Sequence, residues 1–334
     1  MDLQKEFIKF HDNIKLDDEN ETLREKREIL LNKLKNNISD DASTYTTFVQ
    51  GSYAMGTGIK PENGDYDIDV GIRFDINRED YDPLTPKKWV KDALNGHTKS
   101  VKIRRSCVTV TYQQNSEPIY HVDFAVYSNA NADGKMYIAK GKESSPKSEI
   151  IWEVSDPQGL LDTVKNKYSD ADDRKQFRRI IRYLKKWRDH NSQLTGNGIP
   201  SGIALTCLAY DLFSVSKTFD SIGKTYTYND LAALLNLAKK IKNQFSAYYD
   251  VEKECFFHTI IEKLIVEPYN NLFEKMTINQ METLYQELDK MITKLEDAQK
   301  KTKRSEACTL MTELFGKDFP VTTDRSYVGT SESA

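Results

Sequence analysis

Residues 48–74, FVQGSYAMGTGIKPENGDYDIDVGIRF, decide how the rest of the chain is read. Phe48-Val49 reads as a short apolar strand running into Gly51-Ser52, and Tyr66, Ile68 and Val70 then alternate with Asp67 and Asp69 along a second strand. Alternation of period two puts the three apolar side chains on one face and both aspartates on the other. Neighbouring carboxylates repel, and a fold keeps them together mainly where a cation neutralises them, usually a hard divalent ion with oxygen ligands. The triplet alone is a weak signal. With 51 acidic residues among 334, roughly eight acid-x-acid triplets arise by chance. Its flank adds more, because Gly51 lets the backbone approach a phosphate closely and Ser52 offers a hydroxyl beside the free N–H groups of a helix start. The competing reading is a solvated turn followed by an edge strand.

A third carboxylate separates the two readings. Residues 119–127, IYHVDFAVY, form another strand in which Asp123 sits between Val122 and Phe124 and faces the opposite way. An ionised aspartate in the middle of so apolar a strand is costly unless it is paired or bound to metal. Gly51-Ser52, then Asp67-x-Asp69, then a lone Asp123 on a later strand resembles the pattern of the polymerase-β-like nucleotidyltransferases. QGSYAMGT…DYDIDVG is similar in particular to the bacterial cGAS/DncV-like nucleotidyltransferases (CD-NTases), enzymes that make cyclic di- and trinucleotide signals in anti-phage (CBASS) defence. The resemblance covers most of the chain and is dense between Val49 and Ser201. It implies a bilobal α+β fold, a mixed-sheet catalytic lobe over residues 1–150 and a helical lobe over residues 151–320, with the first helices packed against both.

Composition sets the outer limits. A chain of 334 residues can form one large or two moderate domains, and 38% hydrophobic with 30% charged residues suits a globular protein with a heavily charged surface. The net charge of −3 excludes a generic polyanion binder, so long nucleic acid is not an expected partner and any nucleotide site must be a local basic patch. Cys107, Cys207, Cys255 and Cys308 are far apart, without a C-x-x-C pair or a histidine at zinc-ligand spacing, which points to reduced thiols. His121 shares its side of the strand with Asp123 and either touches the site or is an ordinary strand-face histidine. The start MDLQKEFIKF is charged, and no run of about 18 apolar residues exists. The expectation is a cytoplasmic protein that neither enters nor crosses a membrane.

Along the chain, residues 3–14 and 18–38 read as helices, the second with Leu23, Leu30, Leu31 and Leu34 on one stripe. Asp82-Pro83 and Thr85-Pro86 open a helix through Lys88-Trp89-Val90, and residues 106–113 and 136–139 add strands to the sheet. Lys140, Lys142 and Lys147 fall in a polar loop, where they either meet phosphates or, as is commoner, are solvated. From Asp172 to Asp189 a helix carries Phe177, Ile180, Ile181, Leu184 and Trp187 on one stripe; at about 100° per residue Lys185 falls at its margin, whereas Lys186 points nearly opposite, toward solvent. Pro200 and Ser201 begin an apolar helix, where free N–H groups favour phosphate; on local grounds Ser201 is equally a plain cap. The remainder reads as helical, near 228–246, 256–266 and 278–300, and residues 321–334 as a polar, flexible tail.

The resemblance then assigns roles. Asp67, Asp69 and Asp123 are the implied catalytic and metal-binding residues, around two Mg²⁺ ions that Mn²⁺ can replace. Gln50, Gly51 and Ser52 are implied to cradle the donor triphosphate, ATP being the leading substrate. RYLKKW resembles the family's Lys-x-Trp helix and makes Lys185 a triphosphate contact, and Ser201 matches the family's triphosphate-contacting serine. The implied partners are nucleoside triphosphates and a downstream effector that reads the cyclic product; some members of the family are also joined through the C-terminus to a target by a partner ligase, and the tail here either serves that or is an ordinary frayed terminus. The alternatives are a transferase acting on RNA, a small molecule or a protein hydroxyl, and an inactive nucleotide-binding homologue.

Overall fold

Two helices come first, α1 (Gln4–Ile14) and α2 (Asn20–Asn37), and their apolar stripes go to different places. Phe7 and Phe10 of α1 are buried among helices, whereas Leu23, Leu30 and Leu34 of α2 are buried against a sheet. The computed structural model describes residues 1–16, 20–62, 66–114, 117–252 and 254–322.

The sheet follows as β1 (Tyr45–Val49), α3 (Gly51–Met55), β2 (Tyr66–Phe74), α4 (Leu84–Leu94), β3 (Ser100–Ile103), β4 (Val108–Gln114), β5 (Glu117–Ser128), β6 (Tyr137–Lys140) and β7 (Ile151–Val154). Its strands run β1-β2-β5-β4-β3, with β6 and β7 extending from the end of β5. β2 and β5 are parallel and the other pairs antiparallel, so the sheet is mixed. Ile68, Val70 and Ile72 of β2 are buried against α2 and α4 together with Val122, Phe124 and Val126 of β5. One apolar face is enough to fix the register, because a slip by one residue would turn every aspartate into that core. Lys87 of α4 is fully buried. Its ammonium donates to the carbonyls of Arg104, Arg105 and Gly141 at 2.7, 3.0 and 2.7 Å, which fastens the β3–β4 turn over the sheet, and burial pulls its pKa down to about 8.

The rest comprises α5 (Pro157–Lys165), α6 (Ala171–His190), α7 (Gly202–Leu212), the hairpin β8 (Lys217–Asp220) and β9 (Thr225–Tyr228), α8 (Asp230–Lys242), the hairpin β10 (Ser246–Asp250) and β11 (Cys255–Thr259), α9 (Ile278–Lys300), α10 (Arg304–Phe315) and a 3-10 turn at Gly316–Asp318. α6 runs through the middle of this helical core, with Phe177, Ile180, Ile181, Leu184 and Trp187 buried as the stripe predicts. Its polar side is enclosed too. Arg179 grips the buried Asp230 with two bonds, Nε to Oδ2 at 2.6 Å and Nη2 to Oδ1 at 2.9 Å, and the Tyr183 hydroxyl donates to the carbonyl of Phe7.

Two expectations fail here. Lys186 does not point to solvent: its side chain is 3% exposed and ion-paired, because a helix surrounded on all sides buries its charged face against partners instead of water. Residues 256–266 are not a helix either. Cys255–Thr259 is a strand paired antiparallel with Ser246–Asp250, in which Phe257 is buried and Phe256 exposed. No helix among the described residues is long and apolar enough to cross a membrane. Residues 323–334, most of the tail, lie outside the described residues.

Candidate active site

Asp69 and Asp123 are directly opposite each other in the parallel β2–β5 ladder, and Asp67 is one pleat away on the same face, opposite His121. Carboxylate oxygens of all three aspartates lie within 4.8 Å of one another. The parallel pairing explains the convergence: alternation along each strand sends the aspartates out of the apolar face, and the register sets them side by side. β4 adds a fourth member. Thr109 pairs with Asp123 across the antiparallel ladder, and its hydroxyl donates to Asp123 Oδ1 at 2.5 Å.

Electrostatics follow from this crowding. Burial, and then the negative charge of Asp123, push the Asp69 carboxyl up to about 6, with Lys185 acting the other way. A divalent cation among three carboxylates would reverse that penalty, and the donors are all hard oxygens of the kind that Mg²⁺ or Mn²⁺ takes. The donor set therefore fits such an ion, held by Asp67, Asp69 and Asp123.

Asp67 and Asp69 line a cavity of about 490 Å³, with Gln50, Gly51 and Ser52 on one side and Lys185, Arg188 and Gly202 on the other. Gly51 has φ of +71°, and a Cβ there would lie 1.8 Å from Asp69 Oδ2, so only glycine lets the chain pass this close to the carboxylate. Ser52 follows it in the first turn of α3. Gln50 precedes them; its N–H donates to the Asp69 carbonyl at 3.1 Å and its Oε1 accepts from the Tyr127 hydroxyl at 2.8 Å. Lys185 enters from α6 and donates to the carbonyl and hydroxyl oxygens of Thr57 at 3.1 and 3.2 Å. Burial, then Arg188 and Arg182, pull its pKa down to about 7, against Asp189 and Asp69.

Ser201 is placed differently from the others. It caps α7, accepting from the N–H of Ala204 at 3.2 Å, and is absent from the cavity lining, which its neighbour Gly202 joins instead. Thr57, Thr109, Arg188 and Gly202 carry no signal as single residues; the one trace of Thr109 in the sequence is its place in the alternation Val108-Thr109-Val110-Thr111.

Residues 46–127 match the family model of the cyclic GMP-AMP synthase DncV-like nucleotidyltransferase domain. A cyclic GMP-AMP synthase of Escherichia albertii is 27% identical over 230 residues, which are 65% of this chain and 49% of that protein, so the chain spans about half the length of the curated relative it matches. Among solved structures, CdnC of E. coli MS115-1 with ATP superposes with a TM-score of 0.68 at 19% identity over 96% of this chain and 99% of that one. CdnG of Bradyrhizobium diazoefficiens with GTP gives 0.68 at 13% identity over 94% and 95%, and the DncV cyclic AMP-GMP synthase of Vibrio cholerae 0.56 at 17% over 83% and 70%. At these identities the likenesses show a shared fold.

Proposed function

We propose that this chain, which through residues 46–127 belongs to the DncV-like nucleotidyltransferases, joins nucleoside triphosphates into a cyclic di- or trinucleotide signal. The observation that carries the reading is the convergence of Asp67, Asp69 and Asp123, the first two lining a cavity whose far wall includes Lys185 and Arg188 of α6. Two divalent ions bound there, Mg²⁺ or Mn²⁺, would lower the pKa of an acceptor hydroxyl and stabilise the departing pyrophosphate. Asp67, Asp69 and Asp123 would hold these ions through their carboxylate oxygens.

The chain's own groups do the rest. Ser52 and the glycine turn before it meet the donor phosphates from the sheet side, and Lys185 meets them from α6, where burial strengthens its attraction for phosphate charge. The cavity walls hold donor and acceptor in line. No side chain needs to form a covalent bond, because positioning and charge stabilisation suffice for transfer of this kind. ATP and GTP, which occupy CdnC and CdnG, are the first substrates to try. The family relationship supports a place in CBASS anti-phage signalling, with an effector that reads the cyclic product.

The test is direct. Purified protein with labelled ATP, GTP, CTP and UTP and Mg²⁺ or Mn²⁺ should yield a small product that resists phosphatase. A ladder of lengthening products would instead mean tailing, and no product would remove the reading. Asp67→Asn combined with Asp69→Asn should cut turnover by about a thousandfold or more, with unchanged circular dichroism.

A further inference from the structure

One threonine ties the two proposed phosphate contacts, Ser52 and Lys185, to each other. Gly56, with φ of +65°, ends α3 in the left-handed conformation and turns the chain back, so that the Thr57 N–H donates to the Ser52 carbonyl at 2.9 Å. From the other side, Lys185 Nζ donates to the Thr57 carbonyl at 3.1 Å and to its hydroxyl at 3.2 Å. Arg182, about one turn earlier on α6, donates from Nε to the next carbonyl, that of Gly58, at 3.1 Å. Thr57 is fully buried, so its hydroxyl has no water to turn to.

An ammonium has three N–H donors and no acceptor. At Lys185 two of them go to Thr57, and among the described residues no other acceptor takes the third, while Lys185 joins Ser52, Asp67 and Asp69 in lining the cavity. A buried cation gripped twice by one residue has little freedom left. Its remaining donor is fixed before a nucleotide arrives, and binding then avoids the cost of ordering a long side chain. Both oxygens also favour the charged form, against burial and then Arg188 and Arg182, which pull the pKa of Lys185 down to about 7.

We infer that Thr57 is a positioning residue: its two oxygens hold the Lys185 ammonium ready for the donor phosphates, and its N–H keeps that ammonium in register with the Ser52 turn. The inference rests on the reading of Lys185 as a phosphate contact given above.

Equilibrium titration with nonhydrolysable ATP and GTP analogues in the presence of Mg²⁺ tests it. Thr57→Val removes the hydroxyl at nearly constant shape and leaves the carbonyl, and should raise the dissociation constant about tenfold, the scale of one hydrogen bond to a charged group. Thr57→Ala, a second way to remove the hydroxyl, should match it, and Thr57→Ser should bind as the wild type does. In a Lys185→Ala background Thr57→Val should change nothing further, because a positioning residue acts only through the group it holds, whereas a packing role would cost the same in both backgrounds. Wild-type affinity in Thr57→Val and Thr57→Ala would overturn the inference, as would equal losses with and without the lysine or a serine as weak as the valine. If Lys185→Ala itself binds like the wild type, or the wild type binds neither analogue, the reading of Lys185 falls and takes the inference with it.

Discussion

Thr109 and Gly51 show how much of the candidate site depends on single atoms. The Thr109 hydroxyl is the short donor to Asp123, so Thr109→Val, which keeps the shape and removes the bond, should weaken metal binding by about ten- to a hundredfold. Thr109→Ser should bind as the wild type does; equal losses in both would mean that the methyl packing matters and the hydroxyl does not. Gly51→Ala adds a carbon where 1.8 Å separates it from Asp69 Oδ2. The carboxylate must move, and a displacement near 1 Å at a reacting centre costs about a hundredfold in rate. Steady-state turnover with the fold checked by circular dichroism decides it, and a Gly51→Ala enzyme with more than half the wild-type activity would contradict the geometry. The three aspartates were legible from the sequence because Asp67 and Asp69 set two like charges on one face of an alternating strand and Asp123 puts a charge into an apolar run, and each arrangement is expensive enough to ask for a reason. Thr109 was not, since a threonine in a strand satisfies β-propensity without any further role.

At the scale of the element, α6 concentrates the chemistry of the helical half. Lys185→Ala should raise the dissociation constant for a nucleoside triphosphate by about ten- to a hundredfold, the loss of a hydrogen bond to a charged group. Equilibrium titration with a nonhydrolysable analogue measures it, and unchanged affinity would remove Lys185 from the site. The periodicity of α6 locates its apolar stripe correctly, and the helical wheel then sends Lys186 to water by default. That default holds only for a helix with one wet face; α6 has none at that position, and Glu62 and Asp318 close over it. β11 failed for a related reason: a run as short as Cys255–Thr259 fits either period, and pairing with β10 decides it.

At the scale of the molecule, two hydrophobic cores meet around the cavity, and buried titratable groups sit within them. Glu262 is one: it shares a hydrogen bond with Asp211, and burial, then Asp211, push its carboxyl up to about 8 from 4.5. The folded state thus holds a proton that the unfolded chain gives up above pH 4.5, and the stability from this group falls as pH climbs from 4.5 to 8. Glu262→Gln removes the dependence, so melting temperatures of variant and wild type should diverge in the variant's favour between pH 5 and pH 8, by more than about 1 kcal/mol in unfolding free energy. A gap independent of pH would show that the carboxyl titrates normally in the fold.

What the amino-acid sequence determined by itself was local: which strands alternate, that Asp67, Asp69 and Asp123 leave the apolar face, that glycine and serine begin a helix, and which stripe of α6 is buried. Periodicity and the cost of a charge in an apolar run act between near neighbours, and both can be read from a string of residues. Only the tertiary structure decided that β2 and β5 are parallel and set Asp69 beside Asp123, that Thr109 reaches Asp123, and that Lys186 bridges Glu62 and Asp318 across 256 positions of chain between those two carboxylates (318 − 62). Such contacts depend on register and on which elements close over one another, and the free energy that selects them is shared among groups distant in the chain.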